Sequence, residues 1–262
     1  MKPLQILVIP DTQCKPDTPQ EHLDWAGKAI VDIKPDVIVH MGDHWDMPSL
    51  SSHDKAGSKY FEGKRYMLDV EAGNQGMKRL LAPLRHMQAV QKKGKHKVYR
   101  PKLHFLYGNH EGRIGRAISN NPMLEGLMGY HHLDTSGWQT HGFLEPLVLG
   151  GVAFSHYFPV GAMRRPAGTA AAILSKLHMS AVAGHQQGRQ VAYSQRADGR
   201  RLTAIIAGSY YLHDEGYLDH IGNKHWHGLL LLNEVVDRSE EHTSELQSQS
   251  TIFVCRLLLE KK

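Results

Sequence analysis

A chain of 262 residues is long enough for one large domain or two small ones and for a real hydrophobic core. With 41% hydrophobic and 22% charged residues and only two cysteines, its composition is that of an ordinary globular chain, which excludes a disulfide scaffold. A formal net charge of +5 is compatible with a polyanionic substrate without demonstrating one.

Histidine is the outlier, with 19 in the chain. It is the commonest metal ligand and the side chain that titrates nearest neutrality, although most histidines taken singly belong to surface and turns. Cys14 and Cys255 point to a reducing compartment. The opening run is too short for a signal-peptide core and lacks a small-residue cleavage site. No stretch approaches the length that spans a bilayer. The expectation is a cytoplasmic protein with no membrane partner.

In chain order, Leu4 to Ile9 is a short apolar run closed by Pro10-Asp11 and predicts a buried strand. Pro19 to Ile33 has helical spacing, with Leu23, Ala26, Ile30 and Ile33 on one side and Pro19 in the first turn. Asp36 to His40 predicts a second buried strand, ending at Gly42-Asp43, and Asp46 to Lys59 reads as a loop. Tyr60 to Val90 predicts a long helix with an interruption at Pro83. A basic linker, Gln91 to Lys102, leads to a third strand, Leu103 to Tyr107, ending at Gly108-Asn109.

The second half is richer in strands. Phe143 to Leu149 and Val152 to Ser155 flank Gly150-Gly151, a hairpin signal, and His156 follows. Pro166 to His178 predicts a helix, and Ser180 to Ala183 a strand ending at Gly184-His185. Gln190 to Gln195, Leu202 to Ala207 and Gly228 to Val236 are expected to complete a second sheet. Strand–loop–helix alternation argues for α/β layering, in which ligands gather at the carboxyl ends of strands. Asp11, Asp43 and Asn109 all fall at such ends.

The ordered blocks Asp11-Thr12-Gln13, Gly42-Asp43-His44-Trp45-Asp46, Gly108-Asn109-His110-Glu111, His156 and Gly184-His185-Gln186-Gln187 resemble the motif set of the calcineurin-like metallophosphoesterases. Each block alone is weak; five in order, each after an apolar strand, are specific. The resemblance covers roughly residues 4 to 210, and the chain as far as Val236 looks more loosely like phage-encoded members, which share the Asp-Thr-Gln opening. It implies an α/β (α+β) fold, a four-layer αββα sandwich of two mixed sheets flanked by helices. A phage-encoded protein would act in the host cytoplasm.

Hydrolysing a phosphate ester needs a nucleophile at neutral pH and relief of charge on the phosphoryl oxygens, which two divalent ions about 3.5–4 Å apart supply together. By resemblance, Asp43 bridges them. One ion is held by Asp43, Asn109, His156 and His185. The other is held by Asp11 and Asp43 with Gln13 and Gln187, which stand where the family has histidines. Glutamine oxygen is a neutral, harder and weaker ligand than imidazole. The expectation is one or two divalent ions per chain, Mn²⁺ first, with Mg²⁺, Fe or Zn²⁺ as alternatives, and with the site on the Asp11 side either labile or taking a harder ion such as Mn²⁺ or Mg²⁺. Gln186 competes with Gln187 for the ligand position.

The resemblance also implies that His110 is the acid–base residue and that Asp46 orients it. Arg113, and more weakly His44, are candidates for binding substrate, with a surface charge at a helix start as the plain alternative for Arg113. Tyr210 to Glu215 and His225-Trp226-His227 are either cleft-lining or an aromatic-rich loop and strand start. The basic residues from Lys92 to Lys102 are read first as a solvated linker and second as a phosphate-backbone contact.

The function expected is a phosphodiesterase or nuclease acting on a phosphate ester, nucleic acid or nucleotide. A phosphomonoesterase is the alternative, with the protein-phosphatase subclass disfavoured because Met47-Pro48 follow Asp46. A binding module with degraded metal chemistry is the rival from another class. The domain is expected to span 1–237. From Arg238 the run RSEEHTSELQSQS resembles the translation of a common sequencing adapter, so 238–262 is expected to be an artefact tail that displaces the native C-terminus.

Overall fold

The computed structural model describes residues 3–52, 61–213, 225–236 and the backbone of 252–253. Four short apolar or mixed runs, β1 (Leu4–Ile9), β2 (Val37–His40), β3 (Lys102–Leu106) and β4 (Gln139–His141), lie parallel in one sheet. The second sheet is mixed and contains β5 (Leu147–Leu149), β6 (Val152–Ser155), β9 (Ser180–Ala183), β10 (Gln190–Gln195) and β11 (Arg201–Ile206), in the order β10-β11-β9-β6-β5. Between β6 and β9 come a small two-stranded ribbon, β7 (Pro159–Val160) and β8 (Arg165–Pro166), and helix α4 (Ala170–Leu177).

Side-chain alternation along the strands builds the layers. Leu7, Ile9, Ile38 and Phe105 point to one face, where they pack with α1 (Glu21–Ile33) and α2 (Tyr66–Lys93). Ile6, Val8, Val37, Val39 and Leu106 point the other way and meet Phe154, Val182 and Ile205 of the second sheet. On that sheet's far side Ala181, Ala183, Ala204 and Ile206 pack with Ile173 and Leu174 of α4. Three apolar layers between four layers of backbone make a helix–sheet–sheet–helix sandwich. Both faces of β2 are covered, which is why its four residues are buried without polar alternation.

Several elements differ from the sequence-based expectation. Helix α2 runs unbroken through Pro83. The missing N–H of a mid-helix proline ordinarily breaks or kinks a helix, but here the ring packs against Gly27 of α1. A Cβ on residue 27 would stand 2.9 Å from the Pro83 ring carbons and 2.6 Å from the Leu80 carbonyl oxygen, so the tight α1–α2 contact holds the helix across the lost hydrogen bond. The strand expected at Gly228 to Val236, β12 (Leu230–Val235), joins the first sheet, antiparallel to β1 with Ile6 opposite Leu232 and Val8 opposite Leu230. Its apolar pattern suits either sheet; the long-range pairing with β1 decides.

Phe143 to Glu145 form a turn rather than strand, with the Gly142 N–H donating to the Glu145 carboxylate at 2.8 Å. Pro166 ends β8, and α4 starts later, after Thr169, whose Oγ1 accepts from Ala172 N at 3.1 Å. Helix α3 (Gly112–Asn120) follows the turn after β3 and puts Arg113 in its first turn, at the helix start that the plain reading of Arg113 supposed. The stretch 53–59 of the expected loop, Tyr60 at the start of the expected long helix, and the expected artefact tail lie outside the described residues. The exception in the tail is Ile252–Phe253, β13, whose backbone pairs with Leu232 and Leu231 of β12. Among the described residues no helix is long and apolar enough to cross a membrane.

Candidate active site

Asp11, Asp43 and Asn109 follow β1, β2 and β3, and His156 and His185 follow β6 and β9 of the facing sheet. The carboxyl ends of both sheets therefore open on one edge. The chain turns sharply there: Gln13, Asp43 and His185 have φ of 40°, 49° and 67°. Left-handed backbone is unfavourable for residues with a Cβ and persists where surroundings enforce it, frequently at functional sites.

Glu111 does much of the enforcing. Its buried carboxylate accepts the backbone N–H groups of Asp43 (3.0 Å), His44 (2.7 Å), Trp45 (2.9 Å) and Gly108 (2.8 Å), clamping the turn after β2 to the turn after β3. Gly108 permits the approach, since a Cβ there would lie 2.1 Å from Asp43 Oδ1. Glu111 stands in the Gly108-Asn109-His110-Glu111 block, where the sequence pattern alone gives it no role. The available signal was the set of N–H groups in the two glycine turns, which need acceptors once buried.

Among the described residues Asp43, His156 and His185 offer ligand atoms that all lie within 4.8 Å of one another. Asn109 Oδ1 sits 2.8 Å from His156 Nε2 and 2.7 Å from His185 Nδ1, and Asp43 Oδ2 is 3.3 Å from His156 Nε2. His156 Nδ1 donates to the Met41 carbonyl at 2.8 Å. A carbonyl only accepts, so Nδ1 carries a proton, and Nε2, which faces Asn109 Oδ1 and Asp43 Oδ2, is the nitrogen that can ligate once its own proton is displaced. Burial would raise the Asp43 carboxyl, but His110 and His156 outweigh it and hold it far below the usual carboxylate range. Burial would lower His156, but Asp43 holds it up at about 10. Burial, with His156 beside it, lowers His185 to about 4 and keeps that imidazole neutral. This donor set can hold a divalent metal ion, which would take the place of the proton on His156.

The neighbouring positions are less uniform. Asp11 is fully buried and accepts the His185 N–H at 3.1 Å. Burial raises it to about 7, with His156 opposing and the charge of Asp43 adding. Gln13 is buried, and its Oε1 has no hydrogen-bond partner. A buried, unsatisfied carbonyl oxygen is costly and calls for a cation or a donor, so Gln13 fits a ligand role. Gln187 Oε1 accepts the Tyr211 hydroxyl at 2.5 Å. Gln186 is tied elsewhere, its side-chain amide donating to the Ala167 carbonyl at 2.5 Å.

His110 Nδ1 is 2.5 Å from Asp46 Oδ1, and its Nε2 faces Asp43 Oδ2 at 3.7 Å. Burial lowers the His110 pKa, but Asp43 and Asp46 together raise it above the ordinary histidine value. Arg113 is held by the carbonyls of Asp46 (2.8 Å) and Met47 (3.1 Å), with Nη2 3.2 Å from His110 Nε2. A cavity of about 240 Å³ opens over this edge and is lined by Asn109, Arg113, Arg116, Tyr157 and His185 among others.

His44 stands apart from the substrate role suggested for it. It is fully buried, with Nδ1 2.6 Å from Thr12 Oγ1 and Nε2 2.9 Å from the Gly73 carbonyl. Both ring nitrogens are used in holding the turn after β1 and that after β2 to α2. Tyr210 and Tyr211 are buried, and Tyr211 joins Gln187 to His225, 3.3 Å from its hydroxyl; Asp214 and Glu215 lie outside the described residues. The basic stretch before β3 lies at the opposite end of the sheet, where the Tyr99 hydroxyl donates to the Pro35 carbonyl ahead of β2. Burial pushes the Cys14 thiol up, away from the thiolate form a metal needs.

No protein-family model matches the chain, and no curated protein matches it.

Proposed function

We propose that the protein is a metal-dependent phosphoesterase with the chemistry of the calcineurin-like family, acting on phosphodiesters of nucleic acid or nucleotides. The observation that carries this is the convergence of Asp43, Asn109, His156 and His185 on a shared set of donor atoms, with the His110–Asp46 pair beside it. Two imidazoles with a carboxylate and an amide oxygen suit Zn²⁺ or Fe as well as Mn²⁺, and the oxygen-rich Asp11–Gln13 side suits Mn²⁺ or Mg²⁺. When bound, such an ion polarises phosphoryl oxygens and acidifies water.

The chain's own residues do the rest. The Met41 carbonyl fixes the His156 tautomer. Glu111 fixes the turns that present Asp43 and Asn109. Asp46 accepts the His110 Nδ1 proton and leaves Nε2 facing the site, where it protonates the departing ester oxygen. Arg113, anchored on two carbonyls, turns its guanidinium toward the same space and meets a phosphate oxygen.

The test is hydrolysis of bis(4-nitrophenyl) phosphate, 4-nitrophenyl phosphate and single-stranded DNA by the purified protein with added Mn²⁺. Metal-stimulated turnover faster on the diesters is expected, and no metal-stimulated hydrolysis of any of the three would sink the proposal. The second reading, a binding module without catalysis, draws on Gln187, whose carbonyl oxygen is already bonded to Tyr211. Metal content after gentle purification separates the two: the enzyme retains at least one ion per chain.

A further inference from the structure

Arg116 has no role in the chemistry described so far. It lies on α3 three residues after Arg113, so the two side chains leave the same helix face about 5–6 Å apart at Cβ. Both line the cavity that Asn109 and His185 also line. Arg113 is half-buried and anchored, whereas Arg116 is exposed and makes no hydrogen bond or ion pair with any described residue. These two arginines are the charged groups among the described residues lining the cavity, and none of those described residues is a carboxylate. A guanidinium with no partner among the described residues, at the mouth of a cavity whose described lining holds no carboxylate, has its five donors free for a ligand anion.

We infer that Arg116 forms a second phosphate subsite, so that the preferred substrate carries another phosphate next to the scissile ester. This rests on the phosphoesterase proposal above and narrows its substrate class. Arg113 is the inner contact beside His110, and Arg116 the outer one, one helical turn toward solvent. The cavity lining also includes the Tyr157 ring, 5.0 Å from that of His185, an apolar face suited to the nucleoside that joins two phosphates. The second phosphate has two chemical sources, the next phosphate along an oligonucleotide and the distal phosphate of a nucleoside diphosphate.

The experiment compares the dinucleotides TpT and pTpT, which differ by one terminal phosphate, with Mn²⁺ present. The wild type is expected to favour pTpT by about tenfold in kcat/KM, the worth of one charge-assisted contact. Arg116→Gln should remove that preference, and Arg116→Lys should keep part of it. Thymidine 5′-diphosphate as a third substrate distinguishes the sources: faster cleavage than pTpT assigns the subsite to a pyrophosphate-linked group. An equal wild-type rate on TpT and pTpT, or a preference untouched in Arg116→Gln, overturns the inference. If no dinucleotide is cleaved, the phosphoesterase proposal stands or falls on the chromogenic esters and single-stranded DNA. The subsite is then judged by calorimetric binding of thymidine 3′,5′-bisphosphate against the 5′-monophosphate, where an equal affinity, or a difference that survives in Arg116→Gln, overturns it.

Discussion

Nδ1 of His110 lies 2.5 Å from Oδ1 of Asp46, joining the turn after β3 to the turn after β2 across 64 residues of chain. The pairing aims Nε2 at the site and raises the proton affinity of the ring. Replacing His110 with Ala is expected to lower kcat by about 10²–10⁴-fold, the usual share of general acid–base help. Asp46→Asn should lower kcat less while leaving KM near the wild-type value, because the ring stays but loses its charged partner. Steady-state kinetics on the chromogenic diester check both. An unchanged kcat in His110→Ala removes the acid–base assignment.

Gln13 and Gln187 give a second test. If they flank a weakened metal position beside Asp11, the double change Gln13→His with Gln187→His should raise the bound metal by about one ion per chain at micromolar Mn²⁺ or Zn²⁺, since imidazole is the stronger ligand. Elemental analysis of the dialysed protein gives the count. Asp43→Asn should instead lower metal retention, because Asp43 is the ionised carboxylate against both His156 and His110. An unchanged count in Asp43→Asn would remove it from the metal site.

Glu111 carries the joint between two turns. Glu111→Gln keeps the size but replaces a two-oxygen acceptor with one carbonyl and an NH₂ that faces N–H donors. With four backbone N–H groups depending on it, a loss of about 3 kcal/mol in unfolding free energy is expected. Urea denaturation measures it, and a loss below about 1 kcal/mol would mean that the turns hold without it.

Acid should weaken the fold before most carboxylates titrate. His22 is buried, and burial, with His44 adding, lowers its pKa from 6.5 to about 3. Folded His22 stays neutral while the unfolded chain protonates it below about pH 6.5, so the unfolded state gains protons first and stability falls with pH. The effect is absent above about pH 6.5 and accumulates as pH drops toward 3, by at most about 1.4 kcal/mol per pH unit. His22→Phe, with its ring still edge-on to Tyr210 as the imidazole is, should flatten the pH dependence of the melting temperature between pH 6.5 and 4. An identical slope in the variant counts against the assignment.

Much of the sandwich was legible locally. β1, β6, β9 and β10 stand at or within a residue of the runs that predicted them, because a short apolar run between turn residues has few other uses. The residues Asp11, Asp43 and Asn109 were legible for the same reason, since each is the first polar group after such a run, whereas His156 and His185 were singled out by the resemblance of the ordered motifs. Partners were not legible. The run at β12 is compatible with both sheets and is placed by pairing with β1. Pro83 reads as a breaker until Gly27 is seen against it. His44 resembles a site residue in its motif, yet its ring turns inward to Thr12 and Gly73.

The sequence by itself determined the alternation of apolar runs and the polar residues that end them, since strand period and burial are local consequences of side-chain chemistry. Tertiary structure decided which of those polar residues meet. Asn109 Oδ1 between His156 and His185, and Glu111 beneath the two turns, are relationships across 47 to 76 residues. Only the pairing of distant strands within a sheet and the face-to-face packing of the two sheets bring such groups within hydrogen-bond reach, and no local pattern encodes that distance.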